Sequence, residues 1–300
     1  MIQKKGQSLS TLFRLFARRL RLAWRNSRES APRLGLAWIA AGMFLKETVL
    51  PFLPERLRAQ AKFLGYQVRF PSYSLFCSLF EAIFLRCDYV FACNAATPII
   101  IDCGSNIGVS ILWFKRRYPD AFITAFEPEP YTFKYLSRNV IENSLEHVVL
   151  HQAAVTGKEG YFPFYVELNQ QAALGMSLTK RLQDRGKAAG KTTVPCVRLS
   201  RFIKQPVDIL KLDVEGAESQ VLQDLYDENK LQLINELFLE YHYDKSNPDN
   251  RLSQILGILG ETGFATIVDA SLPPPYPKRC HQPYKVNVYA YRHEVSPACC

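Results

Sequence analysis

The sequence predicts an α/β protein with a mostly parallel sheet that helices cover on both faces. From residue 98 onward, short apolar runs alternate with helical patterns of roughly 10 to 15 residues, as in chains that build parallel sheets. The first run, at residues 99–101, leads into a glycine turn and a helical pattern at 109–118. The last two predicted strands, 264–268 and 285–291, are joined by a proline-rich stretch without a helix. We therefore expect these two strands to pair antiparallel.

The same alternation predicts the remaining elements. The predicted strands are 121–126, 147–155, 207–212 and 233–241, and the predicted helices are 131–143, 217–226 and 252–262. A predicted hairpin, with arms at 161–166 and 192–197, interrupts the series and encloses a polar loop at 168–191. This loop is rich in basic residues (Lys180, Arg181, Arg185, Lys187 and Lys191). It is either a solvated loop or a flap that recognises an acidic or phosphorylated substrate.

The positive charge of the protein is concentrated at one end. The net charge of the 300 residues is +9, but residues 1–28 hold eight basic residues and no acidic residue, so the remainder is nearly neutral. A neutral body argues against a nucleic-acid substrate. The length allows one large domain with an appendage. We predict an N-terminal extension at 1–75 and a catalytic domain at 76–300.

The pattern of the N-terminal segment predicts a basic amphipathic helix within residues 8–28. Its apolar residues recur at helical spacing, with most of its arginines on the other side. Such a helix either lies on an anionic membrane surface or docks on the protein with its arginines in water.

The apolar stretch at 34–45 is too short to cross a bilayer, and the eight cysteines form no CxxC pair. The expected location is the cytoplasm, at the inner face of the membrane if the helix binds lipid.

Two strand ends carry residues that suit a nucleoside ligand. Asp102 stands before a turn whose glycines, Gly104 and Gly108, do not match the G-x-G-x-x-G pattern of a pyrophosphate site. An acidic residue at that position suits a cationic amine better than a pyrophosphate. Glu127, at the end of the next strand, is placed to accept hydrogen bonds from both hydroxyls of a ribose. Together these residues indicate S-adenosylmethionine, an adenosine with an amino-acid tail.

Four strings, "IIIDCGSNIGVS", "AFEPEPYTFKYLSRNV", "LHQAAV" and "DILKLDVEGAE", make the chain resemble the FkbM-type methyltransferases. The resemblance covers residues 76–292. It implies a Rossmann-like class I methyltransferase fold, whose seven-stranded sheet has an antiparallel last strand, and O-methylation, often of sugar hydroxyls. It also implies that the methionine part of S-adenosylmethionine lies against Asp102, Gly104, Ser105, Asn106 and Gly108. By the same resemblance, Glu127 holds the ribose, and Ala153 and Ala154 border the adenine, with Gln152 as the nearest polar candidate.

The ends of the fourth and fifth strands supply the candidate catalytic residues. His242 has the pKa of a general base at neutral pH, while Asp213 could orient the substrate or itself act as the base, and Glu240 lies beside them in the predicted strand order. A third alternative is that Asp213, Glu215, Glu240 and His242 hold a divalent cation that lowers the pKa of the acceptor hydroxyl. The spacing alone does not require a metal. Glu218 is interpreted as structural, at the start of the next helix.

The predicted reaction is methyl transfer to a hydroxyl of a saccharide or of a glycosylated or lipid-linked metabolite. Asp213–Gly216 lacks the Asn/Asp-Pro-Pro-aromatic motif of methyltransferases that act on bases. One alternative is a catalytically silent, S-adenosylmethionine-binding scaffold that its N-terminal helix attaches to a membrane. Another is a nicotinamide dehydrogenase.

Overall fold

The computed structural model describes residues 9–25, 33–49, 59–167, 176–178, 189–243, 247–270 and 284–292. The chain divides into two compact units, Met1–Val90 and Phe91–Cys300. The predicted domain boundary at residue 75 falls inside a helix of the first unit. Most of the predicted basic flap at 168–191 lies outside the described residues, while residues 189–191 belong to a strand.

The first unit consists of helices and a short hairpin. Its elements are α1 (Leu9–Arg25), α2 (Arg33–Val49), β1 (Gln60–Phe63), β2 (Tyr66–Arg69) and α3 (Tyr73–Phe80), which continues as a π-helical turn at Glu81–Leu85. One side of α1 packs on α2, where the rings of Phe16 and Phe44 lie 5.0 Å apart. Phe13 and Trp24 of α1 are 62% and 61% exposed. The packing therefore covers only part of the predicted apolar face.

The second unit contains the predicted alternation of strands and helices. In chain order its elements are β3 (Ile99–Cys103), α4 (Val109–Arg117), β4 (Phe122–Phe126), α5 (Pro130–Glu142), β5 (Val148–His151), β6 (Ala154–Thr156), β7 (Gly160–Glu167), β8 (Ala189–Arg198), β9 (Val207–Leu212), α6 (Glu218–Asp227), β10 (Ile234–Tyr243), α7 (Leu252–Glu261), β11 (Ala265–Asp269) and β12 (Tyr284–Tyr291). Within the described ranges, no helix is both long and apolar enough to cross a bilayer.

Seven strands form the main sheet in the order β11-β12-β10-β9-β3-β4-β5. The strands from β10 to β5 are parallel, and β12 runs antiparallel to both of its neighbours. This arrangement confirms the predicted class I methyltransferase sheet and the antiparallel pairing of the last two strands. The strand order reverses between β3 and β9, so a crevice opens at their carboxyl ends, where ligands of such sheets bind.

One predicted strand was wrong in its extent. The segment 147–155 is split into β5, which ends the main sheet, and β6, which joins a second sheet of order β6-β8-β7. The cause is tertiary packing, because the side chain of Ala154 lies in a small core with Phe164, Val194 and Cys196. The predicted hairpin is confirmed as the antiparallel pair β7 and β8.

A charged pair lies inside the main sheet. Asp102 on β3 is directly opposite Lys211 on β9, and both side chains are buried, at 0% and 1% exposure. The Lys211 Nζ atom is 3.0 Å from Asp102 Oδ1 and donates to the carbonyl oxygens of Cys103 (3.2 Å) and Gly104 (2.8 Å). Burial alone would lower the pKa of Lys211, but the charges of Asp102 and Asp213 outweigh burial and raise it. The lysine is therefore a cation that joins two strands where the sheet opens.

We predict that Lys211→Met lowers the free energy of unfolding by about 3 to 5 kcal/mol, because it leaves the Asp102 carboxylate buried without its counterion. Urea unfolding monitored by circular dichroism measures this change. The double variant Lys211→Met/Asp102→Asn should recover part of the loss, since it also removes the unpaired charge. If Lys211→Met has the same urea midpoint of unfolding as the wild type, the ion pair does not hold the two strands together.

Candidate active site

The glycine turn after β3 is shaped by close backbone packing against β9. Gly104 has a φ of +83°, and a Cβ at this position would lie only 1.9 Å from the carbonyl oxygen of Asp213. The amide of Asp213 in turn donates to the carbonyl oxygen of Cys103, at 3.1 Å. Only glycine fits both the conformation and the space. The turn and Asp213 therefore have a fixed relative position.

The amides of this turn are used inside the protein. Those of Gly104 and Ser105 donate to the carbonyl oxygen of Phe126, and that of Gly108 donates to the carbonyl oxygen of Ser105. The amide of Asn106 donates to Glu127, and that of Ile107 donates to the Asn106 side chain. A pyrophosphate needs free amides of this kind. The geometry therefore disfavours the dehydrogenase alternative.

Asp102, which we predicted to lie beside the amine of the ligand, contacts other side chains of the protein. Its Oδ2 atom accepts a 2.6 Å hydrogen bond from Ser110 Oγ, and its Oδ1 atom faces Lys211. Its main-chain carbonyl accepts from Ser105 Oγ at 2.9 Å. Because the carboxylate is completely buried, these contacts give Asp102 the role of positioning the turn.

Glu127 follows β4 and borders the same crevice. Its Oε2 atom accepts from the amide of Asn106 and its Oε1 atom from the amide of Glu129, both at 3.0 Å. Burial raises the pKa of Glu127 to about 8, although the two amide hydrogen bonds act to lower it. Each carboxylate oxygen can accept more than one hydrogen bond. The carboxyl group therefore keeps capacity for two hydroxyl donors, as a ribose requires.

The residues predicted near the adenine lie where β5 gives way to β6. Ala153 and Ala154 are buried, whereas Gln152 is exposed. The ring of His151 stacks on Phe126 and meets the edge of Phe202, each with centroids 4.9 Å apart. His151 and Phe202, both only partly buried, were missed from the sequence. No local pattern signals them, because residues far apart in the chain form the cluster.

A second group of polar side chains lies at the ends of β9 and β10, around His242. The His242 ring is 2% exposed. Its Nε2 atom lies 3.0 Å from Glu240 Oε1, 3.3 Å from Glu215 Oε2 and 3.8 Å from Asp213 Oδ1. The structure thus brings together all four residues that the sequence predicted as a catalytic or cation-binding group. We call these four residues the carboxylate–histidine cluster.

Glu218 fixes the orientation of the histidine. Its Oε1 atom lies 2.8 Å from His242 Nδ1 and also accepts from the amide of Gly216. Its Oε2 atom accepts from Asn250 Nδ2 at 2.6 Å, and the same Asn250 nitrogen donates to the carbonyl oxygen of His242. Glu218 is therefore more than the helix-start residue that we predicted, because it turns the Nε2 atom of His242 toward the three carboxylates.

Burial and mutual charge shift the pKa values of the cluster. Burial would lower the pKa of His242, but Glu215, Glu218 and Glu240 raise it well above its ordinary value. Burial and the charge of Glu240 raise the pKa of Asp213 to about 7. Burial would raise the pKa of Glu240, but His242 and Lys285 lower it. With both ring nitrogens facing carboxylates, His242 is a poor match for a free general base. Its predicted role as the base remains a prediction.

The chain is similar to several known methyltransferases. The family model described as "Methyltransferase FkbM domain" matches residues 102–265. "Methyltransferase sdnD" of Sordaria araneosa is 30% identical over 62% of this chain and 81% of its own length. "31-O-demethyl-FK506 methyltransferase FkbM" of Streptomyces tacrolimicus is 25% identical over 57% of this chain and 74% of its own length. "2-O-methyltransferase NoeI" of Sinorhizobium fredii (strain NBRC 101917 / NGR234) is 25% identical over 60% of this chain and 74% of its own length.

The matched region begins at Asp102, extends through the glycine turn, Glu127 and the carboxylate–histidine cluster, and ends at the start of β11. It therefore includes both halves of the site. This chain belongs to the FkbM-domain family of methyltransferases.

Proposed function

We propose that this methyltransferase transfers the methyl group of S-adenosylmethionine to a hydroxyl oxygen of a saccharide or of a glycosylated or lipid-linked metabolite. The observation that carries the proposal is the position of the carboxylate–histidine cluster directly beside the glycine turn. Asp213 belongs to both, since its backbone packs on Gly104 and its carboxylate faces His242. Two relatives are named for methylation at oxygen.

The cofactor side of the site offers the groups that S-adenosylmethionine requires. The cofactor presents ribose hydroxyls as donors, and Glu127 supplies carboxylate oxygens as acceptors. The partly buried rings of His151 and Phe202 supply an aromatic surface near Glu127, whose amide donates to the carbonyl oxygen of His151 at 3.1 Å. Such a surface suits stacking on a purine. When bound, the cofactor supplies an electrophilic methyl carbon on a positively charged sulfur.

The acceptor side supports a hydroxyl substrate. The acceptor oxygen forms a bond to the methyl carbon as the carbon–sulfur bond breaks, and that electron pair stays on sulfur to give S-adenosylhomocysteine. Alignment of the oxygen and loss of its proton are the tasks left to the protein. Asp213 and Glu215, each with a side chain about one-fifth exposed, line the open side of the cluster. An acidic opening accepts hydrogen bonds from hydroxyl groups and repels phosphorylated acceptors, which favours a neutral polyol or sugar.

We predict that Glu127→Ala weakens binding of S-adenosylmethionine at least about tenfold, because it removes the hydrogen bonds between the carboxyl group and the ribose hydroxyls. Calorimetric titration of the full chain measures the change. Glu146→Gln, an exposed carboxylate outside the site, is the matched control and should bind as the wild type does. Equal affinity of Glu127→Ala and the control would rule out Glu127 as the ribose ligand.

We predict that isotopically labelled methyl groups from S-adenosylmethionine appear on hydroxyl-bearing compounds of a cell extract, identified by mass spectrometry. His242→Ala should bind the cofactor normally but lower the rate of transfer roughly 100-fold or more, because the carboxylates on the acceptor side lose the ring around which they are arranged, and misplacing a reacting group by about 1 Å costs about that much. Cofactor binding without label in any acceptor would favour the silent scaffold. Label on nitrogen alone would contradict transfer to oxygen.

We further propose that α1 binds an anionic membrane surface. Phe13 and Trp24 are three helical turns apart and therefore lie on one side of α1. Both side chains are exposed, and an exposed stripe of Arg14, Arg21 and Arg25 runs beside them. Exposed aromatic rings next to arginines fit the boundary between lipid headgroups and acyl chains. A lipid-linked acceptor would then lie in the same interface as the enzyme.

We predict that the full chain sediments with vesicles that contain phosphatidylserine, more weakly at high salt, and not with phosphatidylcholine alone. Phe13→Ser/Trp24→Ser should lose most of this binding. Leu45→Ser is the matched control, because Leu45 of α2 is equally exposed, at 63%, but lies outside α1. Unchanged sedimentation of the double variant would refute membrane binding through α1.

A further inference from the structure

We propose that Asp213, Glu215 and His242 bind a divalent cation, with Glu240 beside them as a third carboxylate. The sequence left this as one of three alternatives, and the structure supplies the spacing that it lacked. The cation site as such is independent of the proposed function. The role that we assign to the cation rests on O-methylation.

The distances within the cluster suit one shared ion. Two ligand atoms bound at roughly 2.1 Å to one ion lie about 3.0 Å apart when adjacent and about 4.2 Å apart when opposite. The three distances from His242 Nε2, to Glu240, Glu215 and Asp213, are 3.0, 3.3 and 3.8 Å. Asp213, Glu215 and His242 each offer one ligand atom within 4.8 Å of the other two. Small shifts of the partly exposed side chains of Asp213 and Glu215 would complete the shell.

The orientation of His242 is an independent sign of a ligand. A histidine that binds a metal through one nitrogen typically gives the other to a carboxylate, which fixes the ring. Glu218 has this position at Nδ1, and it is itself buried and held by Gly216 and Asn250. The Nε2 atom of a ring that is more than nine-tenths buried thus points into the group of carboxylates. A histidine that only filled space would not need this support.

The surroundings of the cluster also hold more carboxylates than cations. Asp213, Glu215, Glu218 and Glu240 surround one imidazole, and Lys285 pairs with the outer oxygen of Glu240 at 2.7 Å. Lys211 approaches Asp213 only to 4.0 Å and is paired with Asp102. Within the described part of the chain, the Asp213 Oδ1 atom is inaccessible to solvent and has no hydrogen-bond donor. A buried carboxylate oxygen without a donor is costly unless a cation or a donor meets it.

The donor set indicates the class of ion. One imidazole nitrogen with carboxylate oxygens suits Mn²⁺ and similar first-row divalent cations, whereas Ca²⁺ and Mg²⁺ prefer oxygen ligands alone. An ion at this position would bind the acceptor hydroxyl and lower its pKa, so that the proton leaves to water at the open side of the cluster. The oxygen would then attack the methyl carbon as an alkoxide. The cation is neither oxidised nor reduced.

The test is titration of the full-length, metal-free protein with Mn²⁺, followed by the electron paramagnetic resonance signal of the free ion. We expect the wild type to remove Mn²⁺ from solution and Glu215→Gln to bind it at least about tenfold more weakly. Glu218→Gln, which affects the orientation of His242 without supplying a ligand, should weaken binding by roughly tenfold to a hundredfold. Glu146→Gln should match the wild type. Unfolding midpoints show that each variant is folded.

Failure of the cation site can be distinguished from failure of the proposed function, because this titration needs neither cofactor nor acceptor. The cation site would be refuted if the wild-type protein left the signal of free Mn²⁺ unchanged. It would also be refuted if Glu215→Gln bound Mn²⁺ as tightly as the wild type does. Methyl transfer that proceeds fully in chelator-treated buffer would overturn the assigned role of the cation and leave O-methylation standing. Mn²⁺ binding with the expected variant effects but no methylated product would support the site and contradict the proposed function.

Discussion

The buried ion pair between Lys211 and Asp102 is the interaction on which the geometry of the site depends. Parallel strands in the middle of an α/β sheet are buried on both faces and normally carry apolar side chains, as Ile209, Leu210 and Leu212 do. A lysine among them requires a counterion, and Asp102 on the adjacent strand provides it. The same ammonium group also binds the carbonyl oxygens of Cys103 and Gly104. The glycine turn therefore begins at a position that β9 determines.

Asp213 extends this constraint to the acceptor side. It follows β9 by one residue, and its carbonyl oxygen occupies the space that a side chain at position 104 would need. Its carboxylate belongs to the group that Glu218 and Asn250 organise around His242. A shift of β9 along β3 would thus displace the glycine turn and the carboxylate–histidine cluster together. Methyl transfer needs this coupling, since an error of about 1 Å in the alignment of the reacting atoms is costly.

The sequence predicted most of the fold, because apolar periodicity and glycine turns are local signals. It also predicted which strand ends would meet, since the carboxyl ends of parallel strands lie at one edge of the sheet. It did not predict what its residues would contact. Asp102 was expected to face a ligand but contacts Lys211 and Ser110, and Glu218 was interpreted only as the start of a helix. The break at Gln152 was missed because it follows from packing in a second sheet. One signal was available: a lysine between Leu210 and Leu212, in a strand predicted to be buried, demands a partner.

The charges around the crevice bear directly on the reaction. The cofactor carries a positive sulfonium that becomes a neutral thioether as the methyl group moves, so positive charge disappears in the transition state. Carboxylates nearby would stabilise the bound cofactor more than the transition state and would thereby slow transfer. Lys211 offsets this effect at Asp102, which lies under the glycine turn. Around the carboxylate–histidine cluster, the charges of Lys285 and of His242, where it is protonated, face the carboxylates of Asp213, Glu215, Glu218 and Glu240, so an excess of negative charge remains. A divalent cation there would offset this excess and would stabilise the negative charge that the proposed acceptor oxygen gains when it loses its proton.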